Sequence, residues 1–546
     1  MESRQPRLKQ PFWGGFVAGL VAGVVASGVM LLLNVVAAGL SLPQEFGSQL
    51  TAWMPAPMFA FLHQIIGDNA KYYFFSIVLV GQCLVFALGG ALYNRFANAK
   101  NEPLSWSQGI FLAVVLWLFA GMILLPLTGS GIFGASLAEG MESGILSLAA
   151  VGLVYGLLFV FGQRWLVASQ LNIPERTIRE RTEEGEELQP LTRRRLFKQG
   201  TIAVGVAVVG FGIWHFIIQG IGAAKVPVAK LLQGYTSKIT PPPTPNYGTI
   251  QPAQFLSPEI TSNDQFYIVS KNFTDPTVSS QGWTVKVDGM VDNPFSLTYA
   301  DLLALPMQQQ YESLECISND VGGSYMSNAL WEGVRLSDLL ERAGVKPGST
   351  KVVLHAYDDY TDSIHLSKAL ETTTLVAVRM NGVTLPDGHG YPARLLVPGI
   401  YGMKHVKWLT EIEVVNYDYQ GYWQQRGWSD PAPVRLTSRI DTPLDGANVT
   451  AHSLTYIAGV AFSGNQGISE VDVSVDGAQT WQRATLKRPL SALTWVIWEL
   501  PWTPKAGSYT VTVRAVDLAG NVQDPHEEST LPDGASGYES ISITAS

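Results

Sequence analysis

Cysteine is almost missing from this chain: 546 residues contain two, Cys83 and Cys316. Cys83 lies inside an apolar run, where a small buried hydrophobe is the ordinary reading. A bridge between the two would need a membrane thiol to meet a soluble domain. The scarcity therefore excludes a disulfide scaffold, and with it any Cys-x-x-Cys-His for covalent haem attachment. Flavin and nicotinamide fingerprints are also missing. No series of membrane-embedded Asp, Glu or Lys marks an ion path. Basic residues are in short supply where a polyanion binder would need them. Residues 1–225 carry 15 Lys/Arg and 12 Asp/Glu, and the remaining 321 carry 21 and 33. An acidic C-terminal part excludes a nucleic-acid surface and fits a soluble domain that faces a small molecule.

What is present first is apolar. Five stretches are long enough to cross a bilayer core of about 30 Å: Phe12–Leu40, Tyr72–Tyr93, Trp106–Leu127, Gly144–Phe161 and Thr201–Ile221. Arg4, Arg7 and Lys9 precede the first, and Arg95 and Lys100 follow the second. Arg164, Arg176, Arg179, Arg181, Arg193, Arg194, Arg195 and Lys198 lie between the fourth and fifth. The alternate loops carry Lys71 against Glu45, Asp68, Glu139 and Glu142. The positive-inside rule then puts the N-terminus in the cytoplasm and everything after Ile221 outside. Thr192-Arg193-Arg194-Arg195-Leu196-Phe197-Lys198 reads as an internal twin-arginine signal, or as a stop-transfer cluster of positive charge. His63 and His215 read as interfacial side chains, and haem ligation is the alternative.

Residues 226–250 form a Pro-rich linker, stiffened by Pro241–Pro245. From 251 to 432 the pattern is mixed. Trp283–Gly289 alternates like a strand, and Thr298 with Asp301 marks a capped helix start. Leu336–Ala343 reads as an amphipathic helix, and Lys351–Ala356 and Val376–Met380 read as strands. Cys316 follows the strand-like Tyr311–Glu315 and precedes Asn319 and Val321-Gly322-Gly323, a turn that projects a side chain rather than buries it. About seventy residues on, His389–Gly399 and Tyr401–Leu409 place Arg394, Lys404, His405 and Lys407 among Leu395, Leu396, Val397, Val406 and Trp408. Cations in a strand of that pattern are partly desolvated and need an anion.

A lone cysteine paired with this basic, glycine-punctuated segment resembles the sulfite oxidase family of molybdenum enzymes, over about residues 255–430. The resemblance implies that Cys316 ligates molybdenum, a role that suits a soft thiolate. It implies pterin contacts at His389, Arg394, His405, Val406 and Lys407, with Lys404 a further donor. It places Asn263–Asn272 and Asp362-Ser363-Ile364 near the pterin, and Asp320 in the pocket as a catalytic-site residue. Sulfite-oxidising members carry Cys-x-x-Asn-Arg-Arg, where this chain has Asp320 and Val321. A tyrosine near the metal is replaced by Trp428. An apolar and an anionic side chain are poor hosts for sulfite.

From 433 to 546 short strands recur with turns every eight to twelve residues, as in Ile468–Val475, Leu493–Leu500 and Tyr509–Val516, which reads as a β-sandwich. Val471–Trp481 and Arg514–Asn521 resemble the immunoglobulin-like dimerisation domain of the same family. The expected architecture is an all-α membrane bundle, then an α+β molybdopterin domain, then an immunoglobulin-like β-sandwich. The expected function is a membrane-anchored, extracytoplasmic molybdenum-molybdopterin oxidoreductase that moves an oxygen atom and two electrons on a small substrate other than sulfite. Its partners would be membrane lipid, a cytochrome or quinone that exchanges electrons, and a second copy as a homodimer. The alternatives are a sulfite-oxidising or sulfoxide-reducing enzyme, and a metal-free binding module that keeps the fold.

Overall fold

The structure is a computed structural model that describes residues 11–37, 39–54, 58, 70–97, 102–137, 140–171, 250, 255–272 and 275–546. The fifth apolar stretch, the arginine motif, the Pro-rich linker, His63 and His215 lie outside the described residues. The chain divides into two compact units, a helical N-terminal one and a sheet-rich C-terminal one.

The helical unit contains α1 (Pro11–Ala37), α2 (Leu42–Trp53), α3 (Ala70–Leu92), α4 (Trp106–Phe119) and α5 (Gly140–Leu171). Four of its helical stretches are long and apolar enough to cross a membrane: Phe12–Asn34, Tyr73–Phe96, Trp106–Leu127 and Gly140–Val167. They pack closely because small residues let backbones touch. A Cβ on Gly15 of α1 would meet the Gly90 carbonyl of α3 at 2.5 Å, and one on Gly156 of α5 would meet the Gly109 carbonyl of α4 at 2.2 Å. The outward faces are as apolar as the inward ones: Val80, Val85, Leu146 and Phe161 are all exposed. Helices apolar all round need a non-aqueous surface around them.

The sheet-rich unit begins with two five-stranded sheets over one core. The first runs β2 (Phe295–Thr298), β1 (Thr284–Gly289), β10 (Leu409–Val415), β5 (Lys351–Ala356) and β6 (Thr361–His365). Its β1–β10 pair is parallel and the others are antiparallel. The second runs β3 (Gln308–Glu315), β4 (Met326–Arg335), β7 (Leu375–Met380) and β8 (Val383–Thr384), with β9 (Arg394–Leu396) also on β7. Val285, Val287, Val352, Leu354, Ile412 and Val414 of the first face Trp331, Val376, Val378 and Leu395 of the second. Helix α6 (Tyr299–Leu303) starts at the expected capping box: Thr298 Oγ1 accepts from the Asp301 N–H, and Asp301 returns a bond to the Thr298 N–H. Helix α7 (Leu336–Ala343) buries Leu336, Leu339, Leu340 and Ala343, and ends at Gly344 with φ +70°. A left-handed cap there suits glycine.

The sandwich follows. Its sheets are β11 (Thr437–Thr442), β13 (Thr455–Phe462), β17 (Val496–Trp502) and β16 (Thr485–Leu486), against β12 (Asn448–Val449), β19 (Glu539–Ala545), β18 (Gly507–Asp517), β14 (Ile468–Ser474) and β15 (Gln482–Arg483). It does not hang free of the preceding domain. Met326 of β4 joins Val460, Phe462, Trp495 and Ile497 of the sandwich in one buried cluster. Ser313 of β3 donates its N–H to the Leu493 carbonyl (3.0 Å), and its hydroxyl accepts from the Trp495 N–H (2.9 Å). Trp498 is fully buried between the two sheets. Trp498→Ala is expected to cost about 3–5 kcal/mol, read as a lower melting transition of the purified chain.

Candidate functional site

Strand β3 ends at Glu315, and Cys316 continues it: its N–H donates to the Tyr325 carbonyl (3.0 Å). The thiol is buried, with Sγ 3.2 Å from Ser318 Oγ. Tyr267 comes up beside it. Burial raises this phenol well above its ordinary range, and the charges of Cys316 and Glu315 push the same way. The turn Tyr401–Lys404 closes the other side, where a Cβ on Gly402 would meet the Tyr267 hydroxyl at 2.8 Å and the Glu315 carbonyl at 3.2 Å. A larger residue there would have to push Tyr267 aside.

The basic segment forms one continuous wall. Leu395 donates its N–H to the Val406 carbonyl (2.8 Å), which lays β9 beside 405–407. Arg394 is buried, and its Nη1 and Nη2 donate to the carbonyls of His389 (3.3 Å) and His405 (3.2 Å). Its guanidinium stands 5.2 Å over the Trp331 ring. His389 is buried too, with Nε2 against the Asn263 carbonyl (3.0 Å) and its ring edge-on to Phe266. Lys407 Nζ donates to the Gly388 carbonyl (3.1 Å) and lies over Trp408. Val406 is a core residue that presents backbone, not side chain.

Two of the expected cationic donors behave differently. Lys404 does not offer its charge to a ligand: its ammonium is buried, 2.9 Å from Asp362 Oδ1, Asp430 Oδ1 and the Ser363 carbonyl. Asp430 also reaches Lys351 (2.7 Å), so two lysines and two aspartates tie loop 416–432 to β5 and β6. His405 is neutral. Its Nδ1 accepts from the Val397 N–H (3.4 Å), its Nε2 faces the Ile400 carbonyl (3.1 Å), and burial with nearby Arg394 lowers it to about 3. Sequence shows cationic residue types in a row, but carboxylates from distant segments decide which keep a free charge. Asp320 is exposed at the tip of the turn after Cys316, where its carbonyl accepts the Gly323 N–H (2.8 Å). Trp428 is buried with Ile317, Tyr401 and Met403, next to the metal-ligand candidate. Sequence reasoning passed over Tyr401 and Glu312. Burial raises Glu312 to about 8, and only its charge interactions with Arg394 and Lys368 and a hydrogen bond from Gln310 oppose this.

The residues present fit a molybdopterin. Arg394 Nε is buried without a hydrogen-bond partner, and among the described residues no carboxylate stands within ion-pair distance of its guanidinium. Burial lowers it to about 10, so it still carries its charge at neutral pH. An unneutralised, buried guanidinium calls for an anionic ligand. Among the described residues no group of three His, Cys, Asp or Glu side chains is gathered to hold a metal. A metal at Cys316 must therefore bring most of its ligands with it, as a dithiolene-bearing cofactor does.

Comparison with known proteins agrees. Residues 272–423 match the family description "Oxidoreductase molybdopterin binding domain", and residues 433–531 match "Mo-co oxidoreductase dimerisation domain". The chain is 35% identical over 146 residues to the "Uncharacterized oxidoreductase YuiH" of Bacillus subtilis, covering 27% of this chain and 72% of that protein. It belongs to the sulfite oxidase-like molybdopterin oxidoreductases. Human mitochondrial sulfite oxidase is 30% identical over 321 residues, and the match spans half of this chain and 59% of the human protein. The sulfane dehydrogenase SoxCD of Paracoccus pantotrophus aligns with a TM-score of 0.47 at 22% identity, covering 54% of this chain and 87% of that one.

Two outcomes are expected from this geometry. Lys404→Met leaves Asp362 and Asp430 without their shared cation, and should cost about 3–5 kcal/mol, measured by thermal melting of the purified chain. Glu312 titrates at about 8 when folded, against an ordinary 4.5. Its contribution to stability is therefore full below about 4.5 and is lost as pH rises through about 8. Glu312→Gln should flatten the fall in melting temperature over that window.

Proposed function

We propose that this chain is a membrane-anchored molybdopterin oxidoreductase, with the sheet-rich unit outside the cytoplasm, acting on a small substrate other than sulfite. The observation that carries the cofactor assignment is the buried Arg394 guanidinium, which among the described residues has an unfilled donor and no ion-pair partner. The apolar outer faces of the helical unit support the anchor. The alternation of basic and acidic loops along the sequence supports the orientation.

When bound, the molybdenum-molybdopterin group would supply two-electron redox chemistry coupled to oxygen-atom transfer. The protein's own residues hold it and shape what approaches. Cys316 would ligate the metal. Arg394 and Lys407 would pair with the anionic parts of the cofactor, and His389 and the 405–407 backbone would orient it. Neutral His405 fixes the local backbone instead of adding charge. Val321 and Asp320 stand where sulfite-oxidising members carry arginines, so those two positions offer an oxyanion no positive charge. A neutral oxygen acceptor, or in the reverse direction a neutral oxide such as a sulfoxide, fits that lining. The matching of two protons and two electrons against water requires a separate electron carrier, a cytochrome or a quinone. The dimerisation-type domain supports assembly as a homodimer.

The test is the metal and pterin content of the full chain, purified in detergent from a host that assembles molybdopterin. Near-stoichiometric molybdenum and pterin are expected. Cys316→Ser should keep pterin but change the Mo(V) paramagnetic signal, and Arg394→Ala should lose about tenfold or more of the pterin. A well-folded chain without metal or pterin would overturn the enzyme reading and leave a fold-retaining binding module.

A further inference from the structure

The turn that follows Cys316 is held from outside its own domain. Within the turn, Asn319 N–H donates to the Cys316 carbonyl (3.0 Å) and Gly323 N–H to the Asp320 carbonyl (2.8 Å). The Asn319 side chain accepts from the Tyr325 N–H (2.8 Å) and donates to Glu315 (2.9 Å). These bonds close the loop on itself but leave its outer side, Gly322 and the Gly323 carbonyl, to be fixed by something else. That something is the sandwich. A Cβ on Gly322 would meet Glu539 Oε1 at 2.4 Å, so the first residue of β19 lies flat against the turn. Gly322 also has φ +74°, a second reason why only glycine sits there. Arg439 of β11 donates from Nη1 to the Gly323 carbonyl (2.8 Å). Val321 faces the sandwich as well: a Cβ on Gly537 would come within 3.7 Å of its Cγ2.

The two clamping side chains are themselves held. Arg439 donates from Nε to Asp441 Oδ1 (2.7 Å) and from Nη2 to Ser257 Oγ (2.7 Å). Glu539 Oε2 accepts from the Ile440 N–H. Arg439 and Ile440 are neighbours on one strand, so the pair spans the turn as a single unit. The opposite flank of the cysteine is anchored the same way. Tyr401 Oη accepts the Arg435 N–H (3.2 Å) and leaves no room for a Cβ on Gly534 (2.4 Å). Both flanks of Cys316 thus end on the sandwich, of which residues 433–531 match the dimerisation-domain description.

We infer that Glu539 and Arg439 are positioning residues for the metal site: from the sandwich they fix the Asn319–Gly323 turn, and so set where Asp320 and Val321 stand beside Cys316. The sandwich is then part of the catalytic unit in each protomer, whatever it does between protomers. The metal-facing half of this inference rests on the assignment of Cys316 as ligand, and the turn-holding half does not.

The experiment uses the full chain with four variants: Glu539→Ala, Glu539→Gln, Arg439→Lys, and Glu470→Ala as a control on an exposed sandwich ion pair with Arg483. Hydrogen exchange of residues 316–325 is followed in pterin-free chain, and the Mo(V) signal in loaded chain. Glu539→Ala is expected to speed exchange of the turn about tenfold, with the β18 and β19 core amides unchanged. It is also expected to shift the Mo(V) signal. Glu539→Gln keeps an acceptor for the Ile440 N–H and should restore both readouts, as Arg439→Lys should in part. Glu470→Ala should alter neither. Wild-type exchange in the turn of Glu539→Ala would overturn the inference. So would faster exchange spread evenly through the sandwich, since that reports unfolding rather than a held loop. Loss of the metal reading alone leaves the exchange result standing.

Discussion

One uncompensated charge organises the molybdopterin domain. Arg394 is buried, its fork is spent on two backbone carbonyls, its Nε has no hydrogen-bond partner among the described residues, and its face lies on Trp331. A guanidinium in that setting costs several kcal/mol unless an anion arrives. The surroundings keep the site in readiness for one. The carboxyl of Glu312 is pushed toward its neutral form, and His405 stays a neutral imidazole that adds no second positive charge. The carbonyls of His389 and His405 that accept from Arg394 each belong to a short helical turn, Asp387–His389 and the residue capping Gly402–Lys404.

The neighbouring cation is treated in the opposite way. Lys404 sits ten residues along the same segment, and three oxygens at 2.9 Å, two of them from carboxylates, absorb its charge. Asp430 passes that ion pairing on to Lys351, and the loop that carries Trp423 and Trp428 is pinned as a result. The protein therefore neutralises the lysine that builds the wall, while among the described residues no carboxylate pairs with the arginine beside it. The sandwich adds a third fixed edge through Glu539 and Arg439. The cysteine is hemmed by parts of the chain more than two hundred residues apart.

Much of this was legible from residues alone where the determinants are local. The capping pair Thr298 and Asp301, the i, i+3, i+4 leucines of α7 and the apolar run of β5 each specify their own element, and each element formed within the expected bounds. The four described apolar helices were equally plain, though α5 extends to Leu171, well past the Phe161 at which its hydrophobic run thins. The lone thiol and the glycine-punctuated segment pointed to the candidate site. What stayed hidden was pairing at long range. Nothing around Lys404 indicates that Asp362 and Asp430 will reach it, and nothing around Glu539 indicates that it will lie on Gly322. Glycines were the one available signal, since Gly322 holds a left-handed φ of +74° beside Glu539 and Gly402 sits close against Tyr267 and the Glu315 carbonyl.

The parallel pairing of β1 with β10 reaches further than packing. Lys286 and Glu411 meet across that pair although 125 residues separate them. The first sheet therefore has a gap at its centre until nearly the whole domain has left the ribosome. The segment from His389 to Lys407 is threaded between those two strands in sequence, so its groups take up their places only as that gap closes. Long-range closure of this kind is slow. During synthesis the chain thus passes through a long interval in which the helical unit is complete and the cysteine is made, but the cradle for a cofactor does not yet exist.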